Sequence, residues 1–73
     1  MNISVYLACT DGGSVMDAFR TRDGALKCLI ENALFDMDDR WTDEERASVI
    51  SHLEEDGSAD GFGYIEYVGE LGE

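Results

Sequence analysis

Leu26, Leu29, Ile30, Ala33, Leu34 and Met37 recur at i, i+3, i+4, i+7, i+8 and i+11. That spacing lays apolar groups along one face of an α-helix. It predicts an amphipathic helix over residues 22–38, and it is the strongest constraint on what this chain can fold into. Thr21 is placed to cap its N-terminus, and Asp23 falls in the first turn, where the helix dipole favours a carboxylate. Gly24 is a weak spot in the same turn. Cys28 and Phe35 lie a heptad apart, off the apolar stripe. Cover by a second helix is the simplest account of Phe35, and contact with another chain is the alternative.

A helix with one apolar stripe needs a partner layer, and the flanking segments supply one. Residues 3–9 alternate, with Ile3, Val5 and Leu7 on one side and Ser4 and Tyr6 on the other, the pattern of a half-buried strand. Thr10-Asp11-Gly12-Gly13 is turn chemistry, so a second strand over Ser14–Arg20 makes a hairpin. Thr42-Asp43-Glu44-Glu45 reads as a capping box that opens a second helix. This helix runs to about Glu55, points Val49, Ile50 and Leu53 inward, and stops at Gly57. A final strand spans Phe62–Val68. The expected order is β-β-α-α-β: a small α+β domain with a three-stranded antiparallel sheet packed on two helices. With 73 residues, positions 1–73 form a single domain with one small core and no room for a deep interlobe cleft.

The charge is lopsided. The chain has 17 Asp and Glu against 5 Lys and Arg, for a net charge of −12. A magnitude of roughly 2–8 is enough to keep a small domain in solution, and the excess costs stability through self-repulsion. It is also segregated: residues 1–35 carry a net −1 and residues 36–73 a net −11. An acidic half of this kind points to a basic partner and away from direct binding of nucleic acid or anionic lipid. There is no signal-peptide pattern, no apolar run near the roughly 20 residues of a membrane helix, and no disulfide framework, since Cys9 and Cys28 are the only cysteines. The expected location is the cytoplasm of a bacterial host.

Residue chemistry gives little support to catalysis. His52 is the only histidine and falls on the outer side of the second helix. No spacing places either cysteine beside it, and no glycine-rich phosphate loop is present. Asp56-Gly57-Ser58-Ala59-Asp60-Gly61 fits the first half of a calcium loop, with Asp56, Ser58 and Asp60 as oxygen ligands. The match then fails, because Tyr67 stands where a bidentate Glu belongs and Glu66 comes one residue early. A connector is the simpler reading of this segment. The expectation is a non-enzyme with no cofactor and no metal. A calcium-binding or structural and assembly module with incidental acidity is the alternative.

What remains is the acidic surface: Asp36, Asp38 and Asp39 after the first helix, Asp43, Glu44 and Glu45 opening the second, Glu54, Glu55 and Asp56 closing it, and Asp60 beyond. Acids at a helix N-terminus help the fold, whereas acids at a C-terminus oppose it. A role outside folding therefore suits Asp36, Asp38, Asp39, Glu54, Glu55 and Asp56 best. Phe35 and Trp41 are candidate apolar anchors beside them, and Trp41 also suits a core or helix-entry contact. With its short strand Ile3–Leu7, the Ala18-Phe19-Arg20-Thr21-Arg22 helix start and the acid-rich tracts Asp36–Glu45 and Glu54–Asp60, the chain resembles the small acidic anti-CRISPR proteins of phages and mobile elements that mimic DNA. The resemblance is one of general character over the whole chain and involves no diagnostic motif. It implies a stoichiometric inhibitor bound to the basic channel of a CRISPR-Cas surveillance complex where target DNA would enter; the chain itself is expected to be a monomer or weak homodimer.

Overall fold

The computed structural model describes residues 3–71. Its order is β1 (Ile3–Cys9), β2 (Val15–Phe19), α1 (Arg22–Asp36), α2 (Asp43–Asp56), β3 (Ser58–Ala59) and β4 (Gly63–Leu71). The strands form one antiparallel sheet in the order β2-β1-β4-β3, with both helices in contact with it. The α+β class stands, and the strand count is corrected from three to four. The added strand, β3, pairs Ser58 with Tyr64 and Ala59 with Gly63. Two residues are too few to show alternation in a sequence. The last strand begins at Gly63 and continues to Leu71, and the first helix stops at Asp36 rather than residue 38.

Local chemistry sets the helix limits. The Thr21 side chain accepts a hydrogen bond from the Gly24 N–H at 3.1 Å and caps α1. The capping box of α2 is complete: Thr42 Oγ1 accepts from Glu45 N–H at 3.1 Å, and Glu45 Oε1 accepts from Thr42 N–H at 2.9 Å. Gly57, left-handed at φ 72°, ends α2 and turns the chain into β3, the role a glycine fills because it has no Cβ to clash.

The core is built from Ala8, Ala25, Leu29, Ala33, Met37 and Leu53. Ala25, Leu29, Ala33 and Met37 follow a four-residue step, so the buried line on α1 is rotated from the expected one. Leu26 and Ile30 pack at its edge, while Leu34 is 43% exposed. The alanines let α1 lie close to the sheet, and Leu29 and Leu53 are among the largest fully buried side chains of this core. Each fully buried leucine contributes roughly 1.5–3 kcal/mol relative to exposure.

Two irregularities shape the sheet. Ala8 pairs with Asp17 and Cys9 with Val15, so Met16 is the extra residue of a bulge. It contacts Asn32 of α1 through its sulfur. A second shift between Val5 and Tyr6 leaves Val68 extra on β4. Beyond Tyr6 the sheet narrows to β1 and β4 alone, and the molecule is elongated at 48 × 20 × 15 Å. Among the described residues no helix is long and apolar enough to cross a membrane.

Candidate acidic interface

Two clusters of acids are held together by the segment between the helices. Met37 is buried, its N–H bonding to the Ala33 carbonyl at 2.9 Å. The Arg46 guanidinium donates from Nη2 to the Asp38 carbonyl at 2.7 Å, tying the end of α1 to the start of α2. Trp41 is half-buried and stands edge-on to Phe62, ring centroids 5.7 Å apart. It therefore anchors this connection to the β3–β4 turn and is not a free docking group. Asp11, in the β1–β2 turn, accepts from the Gly61 N–H at 3.1 Å and closes the same end of the molecule.

All ten expected interface acids are exposed, and the structure sorts them into two sets. Four have partners within the chain. Asp38 receives Arg40 through both carboxylate oxygens, Nη2 to Oδ2 at 2.8 Å and Nε to Oδ1 at 3.2 Å. Asp43 pairs with Arg46 at 3.2 Å. Glu45 completes the capping box, and Asp56 lies 3.5 Å from His52 Nδ1. The side-chain hydrogen bonds from Arg40 hold the Asp38 carboxyl below the usual carboxylate range, helped by the Arg40 backbone N–H. The other six, Asp36, Asp39, Glu44, Glu54, Glu55 and Asp60, have no hydrogen bond or ion pair among the described residues.

The geometry of α2 arranges part of this set. Its buried side is marked by Leu53, with Arg46, Val49 and Ile50 half-buried around it. At roughly 100° per residue, Glu44, Glu54 and Glu55 share an arc of about 100° on the solvent side. Glu44 and Glu55 are eleven positions apart, about 16 Å along the axis. Between them that arc presents only Ala47 and Ser51, both exposed. The helix of 14 residues carries six acids in all, one per roughly 3.5 Å of its length. That average is close to the one phosphate per roughly 3.4 Å of a single DNA strand, although the carboxylates are gathered at the two ends.

A cleft of about 410 Å³ lies beside this surface, lined by Val49, His52, Asp56, Ser58, Ala59 and Asp60. Sequence spacing gave no sign of it, because β3 brings Ser58 and Asp60 back under α2. A serine, a histidine and an aspartate line it, as in a hydrolase triad. Among the described residues no hydrogen bond joins Ser58 to His52, and the His52 and Asp56 side chains face water. An activated nucleophile needs its base within hydrogen-bond reach, and this cleft does not provide that arrangement. Ser58 of the calcium-loop pattern is locked into β3. Among the described residues no three carboxylate, imidazole or thiol groups converge on a point where a metal could sit.

The two cysteines are free thiols, Cys9 buried and Cys28 half-buried on α1. Burial, with Asp17 and Glu31 adding their negative charge, pushes the Cys28 thiol up, away from the thiolate that thiol chemistry requires.

Phe35 overturns an expectation. It is 87% exposed, so α2 does not cover it. Gly24 of α1 lies against Phe19 of β2 and Asn32 against Met16. The strand thus runs alongside α1 from Gly24 to Asn32, and it begins at Val15. Phe35 stands about one turn past Asn32, where the strand that flanks α1 has ended.

The chain matches no family model, no curated protein and no solved structure.

Proposed function

We propose that this chain is a non-catalytic inhibitor that presents a DNA-mimicking acidic surface to a basic nucleic-acid-binding protein and blocks target DNA binding. The CRISPR-Cas surveillance complex named by the resemblance is the partner of choice. Six exposed acids that have no hydrogen bond or ion pair among the described residues, on a chain of net charge −12, carry this reading. Asp36 ends α1, and Glu54 and Glu55 lie in the last turn of α2, where neither helix has a basic residue. At those positions a carboxylate opposes the helix dipole, so folding does not account for them. By contrast Asp43 and Glu45 serve the start of α2, and Asp38 is taken up by Arg40.

Opposite fields speed encounter and make the complex sensitive to salt. The test is affinity capture from bacterial lysate, comparing the natural chain with a variant reversed at Asp36→Lys, Asp39→Lys, Glu54→Lys and Glu55→Lys. The expected result is a nucleic-acid-binding protein retained at low salt, released at high salt or by duplex DNA, and absent with the variant. A partner held equally by both chains and indifferent to salt and DNA rules the mimic out and favours an assembly role.

A further inference from the structure

We propose that Phe35 is a stacking platform for an arginine side chain of that basic partner. The proposal rests on the acidic-surface reading and specifies the chemistry of one contact within it. Phe35 is 87% exposed and Leu34 beside it 43%, an apolar patch at the end of α1 that packing does not explain. Its surroundings narrow what can cover it. Glu31, four residues earlier, shares its face of the helix, and Asp36 and Asp39 follow within four residues. All three are exposed, with no ion pair among the described residues.

A second copy of this chain would bring the same carboxylates against each other, and nucleic acid or an anionic membrane would bring phosphates against them. A cation fits both features at once. A guanidinium is planar, weakly hydrated and suited to stacking on an aromatic face while its N–H groups pair with carboxylates. An ammonium is a compact point charge and matches the carboxylates better than the ring. The partner segment at this position therefore carries arginine in preference to lysine. A DNA duplex offers no exposed side chain of this kind, so this contact adds to the charge match of a mimic.

Nona-arginine and nona-lysine peptides test the assignment, because they carry equal charge and differ in headgroup. Their affinities at low salt are measured by calorimetry for the natural chain, Phe35→Ala, Phe35→Trp and the Asp36/Asp39/Glu54/Glu55 charge reversal. The melting temperature of each variant serves as a check on folding, and nearly full exposure of Phe35 predicts little change for Phe35→Ala. The expected result is nona-arginine binding about three-fold more weakly to Phe35→Ala, with nona-lysine much less affected. Phe35→Trp restores or exceeds the natural affinity, and the Phe35 ring protons shift in NMR spectra as nona-arginine is added. Unchanged nona-arginine affinity in Phe35→Ala, or an unperturbed ring, overturns the stacking assignment while leaving the acidic surface intact. Self-association that depends on Phe35, seen in sedimentation, also overturns it. Failure of both peptides to bind, or binding that survives charge reversal, is the separate result that removes the acidic-surface reading beneath it.

Discussion

Replacing Glu55 by Gln and, in a separate variant, Glu44 by Gln removes one negative charge from each end of α2. Both side chains lie on the same solvent-facing arc and neither has a partner among the described residues. Each variant removes one like charge from an acidic cluster, of which only the one at Glu44 has arginines, Arg40 and Arg46, beside it, so relief of self-repulsion and place along the helix dipole both favour Glu55→Gln. Glu44 is in the first turn, beside Asp43 and Glu45, and Glu55 is in the last, which contains no basic residue. A charge near a helix end is worth about 0.3–1 kcal/mol, favourable for an anion at the N-terminus and unfavourable at the C-terminus. The dipole contributions thus have opposite sign, and the difference between the variants is about 1 kcal/mol with Glu55→Gln the more stable. In a domain of this size that is a gap of roughly 4–8 °C in melting temperature. Thermal unfolding followed by circular dichroism reads it, and the gap should shrink at 1 M salt as the charges are screened. Equal melting temperatures at low salt, or a more stable Glu44→Gln, would refute the argument that the terminal acids of α2 are held against the preference of the helix.

Other sites make equally definite predictions. Gly63 has φ 143°, and a Cβ there would lie 2.2 Å from the Cys9 carbonyl oxygen and 3.1 Å from Leu29 Cδ2. Gly63→Ala should therefore cost more than the roughly 1–3 kcal/mol of backbone strain alone, read as a large drop in the urea midpoint, whereas Gly12→Ala, at a glycine where an added Cβ meets only Thr10 Oγ1 at 3.9 Å, should have little effect. Leu53 is fully buried between α2 and the rest of the core, so Leu53→Ala should destabilise by about 2–5 kcal/mol in the same assay. Asp38 has a depressed carboxyl pKa; any stability it contributes is present above its unfolded value near 3.9 and lost as pH falls through the lower folded value. An NMR titration should show Asp38 as one of the last carboxylates to protonate, with Arg40→Ala, which keeps the backbone N–H bond to Asp38, moving it part of the way back toward the ordinary range.

The sequence announced some of this structure because local chemistry decides it. Thr21, Thr42 with Glu45, and Gly57 act within a few residues of themselves, so both helix starts and the end of α2 were legible. The first hairpin was too, since β1 alternates and Thr10–Gly13 can only turn. β3 was hidden because two residues carry no period, and its pairing with Tyr64 and Gly63 is visible only once β4 is in place. The rotation of the buried line toward Ala25 depends on how closely α1 approaches the sheet, and a count of large apolar residues misses it because alanine carries most of that contact. At the acidic surface, composition located the carboxylates but not their partners. Arg40 on Asp38 and Arg46 on Asp43 are close in sequence, yet Arg46 also reaches the Asp38 carbonyl, a contact that needs the loop between the helices to fold back. The off-stripe position of Phe35, a heptad from Cys28, favours cover by α2 over contact with another chain, and the structure leaves it uncovered. Its exposure follows from where β2 begins, which a helical pattern does not encode.

Competition for DNA is the most direct measure of the central claim. With the captured partner purified, its affinity for labelled duplex DNA is measured by fluorescence anisotropy at increasing concentrations of this chain and of the Asp36/Asp39/Glu54/Glu55 charge-reversed variant. The mimicry account predicts an apparent Kd for DNA that rises in proportion to the concentration of the natural chain, more steeply at low salt, and does not move with the variant. An unchanged DNA affinity with the chain bound, so that DNA, partner and chain form one complex, would contradict it.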